Sequence, residues 1–557
     1  MITLFALLCF AWLVVRSAKT YLTASRSFGA SPQAGIVLRP LSPLSSVLGR
    51  WFPLQHQTGS YFAKFSSYVK YGSTCIGTVT LWGMIPTLWL SDAQTIKTVA
   101  AESRVFRKDV EQYETLNIYG PNLLGTEGAD WKRHRRVANP AFDEATNAFV
   151  WMETVRVVNE WFAELDSKAG SDSTITIDVL EDLVQVTLFV LLSAGFGRRV
   201  SWHEDSSTEP PSGHKLAFRA AVTTTISHLL TRALTPNWIY ALSARVRLPL
   251  IGPILAETRE SFDALRLHML DLISLSRAWM VGGKVSNMDA GLLRSLVEAN
   301  MTEANDVHHK RLTDEELLSD IFVGHLFQTS AHSLSFAMAL LALYPAVQQK
   351  IYEETLRIWP DDCPSTASSS SHKEFMPQLI FFTAYTLAVF QETIRLFPPL
   401  TRLSKIAQAD TTLTAHRSIP SSSGEIQGIT PFSVPVRRGS IVAIDIMALH
   451  MNPMYWGQDA EEFKPERFID TETYRWPRDA FFGFSAGPRS CIGQRFALTE
   501  NVCALASLVR SYEISVPNYL AGKPFLEQKR LLLRWKPLIT TTPINCVVRL
   551  QRRMPVA

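Results

Sequence analysis

The chain has 557 residues, 46% of them hydrophobic, which is enough to bury a large core. Its 55 basic and 51 acidic residues give a net charge of +4, so it lacks the strong basic excess typical of proteins that bind nucleic acid. The six cysteines are widely separated and none forms a CxxC pair, which argues against a disulfide framework or a zinc finger. Apart from Cys491, each is expected to be a small buried side chain.

The chain begins with an uncharged apolar run from Ile2 to Val15, followed by Arg16 and Lys19. About 14 helical residues span about 21 Å, less than the roughly 30 Å of a bilayer core, so extension to Tyr21 would help. The charges follow the apolar run and no small-x-small cleavage site is evident, which favours a retained membrane anchor over residues 1–21 rather than a cleaved signal peptide. The positive charges would keep the rest of the chain on the cytoplasmic side.

The remaining chain is predicted to be mainly helical, with small β-sheets. Tyr71 to Ser91 alternates β-branched and aromatic residues around glycine and proline, which predicts a hairpin before a helix that begins near Asp92. Strands are expected to be few elsewhere. Helical periodicity without internal proline occurs in six stretches: 131–136, 176–194, 218–234, 258–281, 313–344 and 378–396. Breaker-rich segments predict surface loops at 204–213, 360–373 and 417–428.

Residues 481–493 read Phe-Phe-Gly-Phe-Ser-Ala-Gly-Pro-Arg-Ser-Cys-Ile-Gly and lead into a periodic helix from Gln494 to Arg510. This segment resembles the haem-binding signature of the cytochrome P450 family, Phe-x-x-Gly-x-Arg-x-Cys-x-Gly, at every defining position. The resemblance makes Cys491 the thiolate ligand of the haem iron. The free N–H groups at a helix N-terminus would stabilise such an anionic sulfur.

The neighbours of Cys491 have roles by the same resemblance. Gly487 and Gly493 would let the backbone turn or approach the porphyrin, and Phe484 would shield the sulfur from water. Arg489 would pair with a haem propionate. A thiolate ligand favours cleavage of the O–O bond, which separates this class from histidine-ligated oxygen carriers.

Other segments also match the family. Gln-Glu-Thr-Ile-Arg at 391–395, with Phe-Lys-Pro-Glu-Arg-Phe at 463–468, resembles the segments that form a buried structural triad, which assigns Glu392, Arg395 and Arg467 to that triad. Trp-Lys-Arg-His-Arg at 131–135 resembles the Trp-x-x-x-Arg whose side chains reach the propionates. An arginine shortly after Phe-Pro-Pro, here Arg402, is also usual at the propionate site of the family. The predicted propionate set is Trp131, Arg135, Arg402 and Arg489. His450 is expected to be structural.

The predicted distal helix departs from the family pattern of Ala-Gly-x-acid-Thr. Thr329 takes the position of the threonine, but Gln328 replaces the acid, and an amide cannot release a proton as a carboxylic acid does. His325 would lie one turn before Thr329 on the same face, where it either packs or points toward the iron. The stretch 320–329 also looks shorter than in relatives, through either a rebuilt helix or an altered gene model.

The resemblance implies one haem-containing catalytic domain over residues 22–557. It implies haem b, O2, an apolar small-molecule substrate and electrons from NADPH through a cytochrome P450 reductase at the endoplasmic reticulum membrane. The pattern is most like fungal members, many of which act in secondary metabolism, including terpenoid tailoring. Pocket residues are expected at 113–124, 322–329 and 400–403.

Two alternatives remain. One is a haem-thiolate isomerase, dehydratase or peroxygenase that needs no reductase, because Gln328 and His325 are unusual. The other is an inactive haem-binding protein whose iron is blocked by His325.

Overall fold

The computed structural model describes the whole chain except residues 1, 39–62, 82, 170–172, 196, 198, 203–209, 244, 247–250, 283–291, 303–310, 326–327, 360–383, 421–425, 538–539 and 555–557. Internal contacts divide the chain into two compact units. The first unit is Met1–Gln112 with Gln391–Cys491, and the second unit is Tyr113–Phe390 with Ile492–Ala557.

The described residues are mainly helical, as predicted. In chain order their α-helices are α1 Ile2–Arg26, α2 Ser66–Tyr71, α3 Ala93–Ala101, α4 Gly128–Ala138, α5 Glu144–Ala169, α6 Val179–Val190, α7 Phe218–Ser227, α8 Leu229–Leu234, α9 Asn237–Ser243, α10 Gly252–Gly282, α11 Leu292–Thr302, α12 Asp314–His325, α13 Thr329–Leu343, α14 Pro345–Ile358, α15 Ala384–Leu396, α16 Ile446–His450, α17 Pro453–Trp456, α18 Gln494–Ser511, α19 Asn518–Ala521 and α20 Phe525–Leu532.

The strands form small sheets within each unit. They are β1 Gln33–Val37, β2 Cys75–Thr80, β3 Pro86–Leu90, β4 Phe106–Lys108, β5 Thr174–Asp178, β6 Arg402–Ala407, β7 Thr411–Pro420, β8 Ile426–Val436, β9 Ile441–Asp445, β10 Tyr512–Ser515, β11 Trp535–Pro537, β12 Thr541–Pro543 and β13 Val547–Arg552. The first unit holds a six-stranded sheet in the order β1-β2-β3-β9-β6-β4 and the pair β7-β8. The second unit holds the sheet β10-β13-β5 and the pair β11-β12.

The predicted hairpin and the helix after it are confirmed in the first unit. Strands β2 and β3 pair antiparallel, with Cys75 opposite Leu90. Helix α3 then begins after Asp92, whose side chain accepts a hydrogen bond from the Thr95 N–H at 2.8 Å. A side-chain acceptor at this position satisfies one of the free N–H groups of the first helical turn.

Two predictions about strands were wrong. The predicted helix over 176–194 begins only at Val179, because Thr174–Asp178 is a strand that pairs antiparallel with β13. The predicted loop over 417–428 is part of the long hairpin β7-β8, in which residues 421–425 lie outside the described residues. Strands are therefore more numerous than the sequence suggested.

Two of the predicted helices are interrupted. The stretch 218–234 divides into α7 and α8 at His228. The stretch 313–344 divides into α12, which ends at His325, and α13, which begins at Thr329. Between them Gln328 has φ 45°, in the left-handed region that an α-helix cannot contain. The prediction that His325 lies one turn before Thr329 on one helical face was therefore wrong.

Three predicted segments fall largely outside the described residues. These are the loop at 360–373, most of the loop at 204–213, and the start of the helix predicted over 378–396, which is described as α15 from Ala384.

The predicted apolar N-terminal segment is helical and continues to Arg26. Within the part of the chain that the structure describes, no single helix has the length and apolar content needed to cross a membrane. The pair α13 and α14, which bends by 109°, meets that test together.

Candidate active site

The loop that carries Cys491 is closed by its own backbone in the first unit. The Cys491 N–H donates to the Phe484 carbonyl oxygen at 2.8 Å, and the Ser490 N–H donates to the Gly487 carbonyl oxygen at 3.0 Å. Ser485 and Gly487 both have positive φ, at 60° and 69°, which makes the turns tight. The loop leaves the Cys491 side chain exposed, whereas Cys75 of the same unit is buried.

Gly487 has a second constraint, because the loop lies close to helix α3. A Cβ atom at this position would lie 2.7 Å from the carbonyl oxygen of Ala100. Only glycine satisfies both the positive φ and this close approach without strain.

We expect Gly487→Ala to destabilise the protein by about 1–3 kcal/mol for the left-handed conformation, with an added cost for the steric clash. Gly439→Ala is the matched control, because Gly439 has φ 84° in the same unit but nothing within 4 Å of its Cβ position. Thermal melting of both variants separates the two costs. Equal losses of melting temperature would show that Ala100 does not constrain the loop.

The structure brings Glu392, Arg395 and Arg467 together in the first unit. Arg395 donates to both carboxylate oxygens of Glu392, at 2.6 and 2.7 Å, and neither side chain is exposed to solvent. Arg467 Nε lies 3.7 Å from Glu392 Oε1. The Lys464 N–H also donates to Glu392 at 3.0 Å, so the carboxylate is held by two chain segments distant in sequence.

His450 links this ion-pair network to the cysteine loop. Its Nδ1 lies 3.1 Å from the Arg395 carbonyl oxygen, and the Phe482 N–H donates to its Nε2 at 2.8 Å. Burial lowers the pKa of His450 to about 3, and the nearby Arg395 adds to this effect. The neutral imidazole can therefore donate through Nδ1 and accept through Nε2, which fixes where the cysteine loop begins.

Two of the predicted propionate residues, Arg402 and Arg489, also belong to the first unit. Arg402 is half-buried at the start of β6, opposite Asp445 in the register of β9. Burial lowers the pKa of Arg402 below its ordinary value, and Asp445 opposes this shift. Arg489 ends the short 3₁₀ turn Gly487–Arg489, two residues before Cys491.

The other two, Trp131 and Arg135, lie one turn apart on helix α4 of the second unit, and both are half-buried. Two residues between them, Arg133 and His134, bind this helix to α12. Arg133 donates to both carboxylate oxygens of Glu316, at 2.9 and 2.6 Å, and His134 Nδ1 lies 2.7 Å from Asp320. The orientation of α4 is therefore set by buried polar contacts within its own unit.

Gln328 and Thr329 lie at the start of helix α13, with Gln328 as its N-cap residue and Thr329 as its first residue. The Gln328 side chain makes no capping hydrogen bond to the helix. The His325 side chain lies outside the described residues.

A buried acid that the sequence analysis missed contacts Ser330, the residue after Thr329. Glu500 of helix α18 hydrogen-bonds to the Ser330 side chain, and burial raises the pKa of Glu500 to about 8. Asn501 Nδ2 donates to Ser330 Oγ at 3.1 Å. Within the described residues, Glu500 Oε1 and Asn501 Oδ1 have no hydrogen-bond partner. The signal in the sequence was an acid at helical spacing from the apolar Ala497 and Ala504.

Two of the three predicted pocket segments meet in the second unit. Leu229 and Phe262 form a buried cluster that packs against Ile118, Tyr119, Leu124 and Phe322. The Tyr119 ring contacts the Phe322 ring edge to face, with centroids 4.8 Å apart. The third segment, 400–403, belongs to the first unit.

Comparisons with known proteins decide the family. The family model for cytochrome P450 matches residues 40–542. A cytochrome P450 monooxygenase of Postia placenta is 35% identical over 88% of each chain. The family resemblance in the sequence is thereby confirmed. This chain belongs to the cytochrome P450 family.

More distant relatives of this cytochrome P450 are also monooxygenases by name. One from Arthrobotrys oligospora is 24% identical over 77% of this chain and 75% of its own. Another, from Leptosphaeria maculans, is named for the phomenoic acid biosynthesis cluster and is 24% identical over 79% of this chain and 76% of its own. The protein is an oxidoreductase of the monooxygenase class, and the family implies a haem cofactor and a redox partner.

The residues of the first unit fit a haem. Cys491 lies on a loop closed by the hydrogen bond between its own N–H and the Phe484 carbonyl oxygen, and Gly487 leaves no side chain where the loop passes the Ala100 carbonyl oxygen. Guanidinium groups such as those of Arg402 and Arg489 are suited to carboxylates like the propionates. A single thiol ligand is what a metal already held by a macrocycle requires.

Proposed function

We propose that this cytochrome P450 is a haem-thiolate monooxygenase with Cys491 as the iron ligand. The observation that carries the proposal is the tight loop that presents Cys491, closed by the hydrogen bond from the Cys491 N–H to the Phe484 carbonyl oxygen and packed against Ala100 at Gly487. When bound, haem b supplies the chemistry that activates O2. One oxygen atom enters an apolar small molecule and the other leaves as water, which consumes two electrons and two protons.

The chain holds and screens the cofactor through the residues around Cys491. Phe484 shields the sulfur, and Arg402 and Arg489 pair with the propionates. The assignment of Trp131 and Arg135 to the propionates rests on the family pattern Trp-x-x-x-Arg. Glu392, Arg395 and Arg467 act as scaffold, because their polar groups bind one another and the backbone rather than facing solvent.

Proton supply is assigned to the start of helix α13. With the cofactor and O2 bound, Thr329 would supply a hydroxyl donor and Gln328 would orient water, since its amide holds no acidic proton. Glu500 holds the exchangeable proton, because its carboxyl hydrogen-bonds to Ser330, the residue next to Thr329. This places an acid on a different helix from the one that carries it in the family pattern.

Electrons are assigned to NADPH through a membrane-bound reductase, and the chain to the cytosolic face of the endoplasmic reticulum membrane. Helix α1 supports this assignment, because large apolar side chains such as Phe5, Trp12 and Val15 are more than half exposed. Arg16 and Lys19 follow them on the same helix. An exposed apolar helix flanked by cations is suited to a retained membrane anchor.

A place in fungal secondary metabolism, including terpenoid tailoring, is part of the proposal. It is supported by the fungal relatives, of which the one from Leptosphaeria maculans is named for a biosynthesis cluster.

The test is the reduced carbon monoxide difference spectrum of the full chain loaded with haem. We expect a thiolate-type Soret band in the wild-type protein and its loss in Cys491→Ala, because alanine provides no ligand. Cys9→Ser is the matched control, since Cys9 is the other exposed cysteine among the described residues.

A band retained by Cys491→Ala would overturn the ligand assignment. Turnover that needs no NADPH would overturn the monooxygenase in favour of an isomerase, dehydratase or peroxygenase. A haem-loaded wild-type protein without the band would indicate a blocked or differently ligated iron.

A further inference from the structure

A cavity of about 350 Å³ lies within the second unit, beside the aromatic cluster of Tyr119, Phe262 and Phe322. Ile118, Tyr119 and Phe262 form its apolar wall. Its volume is at the lower end of the range for small-molecule sites. We name it the arginine cavity, for the three guanidinium groups of Arg232, Arg259 and Arg266 that also line it.

The charges around the arginine cavity do not cancel. Arg266 pairs with Glu315 at 3.0 Å, so these two charges neutralise each other. The remaining charged lining residues are Arg232, Arg259 and the exposed Asp263. Among the described residues that line the cavity, the formal charges therefore sum to one positive charge, beside an apolar wall.

The two remaining arginines are both held in place by Tyr240. Arg259 Nη2 donates to the Tyr240 carbonyl oxygen at 2.6 Å. The Arg232 guanidinium lies over the Tyr240 ring, 5.0 Å from its centroid. Guanidinium groups positioned in this way lose little side-chain entropy when they bind an anion.

The Tyr240 hydroxyl is an independent sign of a ligand. It is buried, it belongs to a residue that lines the cavity, and it has no hydrogen-bond partner among the described residues. A buried hydroxyl without a partner costs free energy, which a ligand oxygen would recover.

We infer that the arginine cavity binds the carboxylate of an amphipathic acid, with Arg232, Arg259 and the Tyr240 hydroxyl as donors. The apolar body of the ligand packs against Ile118 and Phe262. Planar guanidinium groups match the two oxygens of a carboxylate, whereas an uncharged alcohol would leave the excess positive charge uncompensated. As the class of substrate, this inference rests on the proposed monooxygenase function.

The experiment compares dodecanoate with dodecan-1-ol, which has the same chain length, by calorimetric titration of the haem-loaded full chain. We expect Arg232→Gln to weaken dodecanoate binding about tenfold, the value of one hydrogen bond to a charged group. Tyr240→Phe should weaken it about threefold, because it removes one neutral donor. Neither variant should change the binding of dodecan-1-ol.

Arg219→Gln is the matched control, because Arg219 also lies 5.0 Å over an aromatic ring, that of Phe189, but does not line the cavity. It should leave the binding of both ligands unchanged. Equal affinity of the wild-type protein for the acid and the alcohol would overturn the inference, as would failure to bind either one. A normal carbon monoxide spectrum in the same samples shows that such a failure does not come from the proposed haem-thiolate function.

Discussion

Replacing Arg395 with alanine is expected to lower the free energy of unfolding by about 3–5 kcal/mol, because it removes the cation that donates to both oxygens of the buried Glu392 carboxylate and leaves only the Lys464 N–H and the more distant Arg467. Arg395 donates to both oxygens of Glu392 and to the His450 carbonyl oxygen at 2.7 Å. Its guanidinium also lies over the Trp456 ring, 5.0 Å from the centroid. Both charged side chains are fully buried, so bulk solvent does not compensate for these contacts as it does for a surface pair.

The matched control is Arg437→Ala, which removes an ion pair of similar length in the same unit. Arg437 and Asp410 are 2.8 Å apart, but their side chains are 64% and 59% exposed. An exposed pair contributes about 0–1 kcal/mol, so its loss should change the melting temperature little. Similar losses in the two variants would show that the Arg395 network does not stabilise the fold.

The geometry also predicts an effect on the cysteine loop. The Arg395 side chain donates to the His450 carbonyl oxygen at 2.7 Å, and the His450 imidazole accepts the hydrogen bond from the Phe482 N–H, where that loop begins. Arg395→Lys keeps the positive charge but cannot donate to both carboxylate oxygens of Glu392 as arginine does. We therefore expect the purified variant to contain less haem than the wild-type protein. The haem content of the purified variants, measured by absorbance, tests this link. Full haem occupancy in Arg395→Lys would contradict it.

Features whose cause is local were predicted well from the sequence. The hairpin β2-β3 follows from alternating residues between turn formers, and the start of α3 follows from the capping side chain of Asp92. The loop of Cys491 also has a local basis, because Gly487 and the closing hydrogen bond lie within the eight residues from Phe484 to Cys491. Each of these signals is contained in one short segment.

Features that depend on distant segments were missed. Strand β5 carries a short alternating segment, but its partner β13 lies near the other end of the chain. The break at Gln328 could not be predicted from periodicity, because the apolar pattern continues across it. The sequence analysis looked for an acid beside Thr329 on the same helix, whereas the proposed proton donor, Glu500, hydrogen-bonds to the neighbouring Ser330 from helix α18.

Glu500→Gln is expected to reduce product formation about a hundredfold, the usual contribution of a positioned proton donor. Glutamine keeps the size and the hydrogen-bonding capacity of the side chain, but it has no acidic proton. The two electrons from NADPH should then reduce O2, with two protons, to hydrogen peroxide. They would no longer yield oxygenated product and water. The measurement is the peroxide released per NADPH consumed, with the carbon monoxide spectrum as a check on the haem.

The pH dependence gives a second measurement, with a defined sign. The pKa of Glu500 is raised to about 8, so the carboxyl holds its proton at neutral pH and loses it as the pH rises through about 8. In the wild-type protein, product formed per NADPH should fall across that range. In Glu500→Gln it should be low at every pH, because no group titrates at this position.

Protein stability must be measured together with the product formed per NADPH consumed, which we call the coupling, because a buried acid also affects folding. The folded-state pKa of about 8 is above the ordinary value of 4.5, so this group's contribution to stability is complete below the ordinary value and declines as the pH rises toward the folded value. Glu500→Gln should therefore melt higher than the wild-type protein at alkaline pH. A purely structural Glu500 would give this melting difference without any rise in peroxide, so the ratio of peroxide to NADPH distinguishes proton supply from packing.

Asn501→Asp is the companion variant, since it places a second acid beside Ser330 Oγ. Combined with Glu500→Gln, it should restore part of the coupling if the proton passes through Ser330.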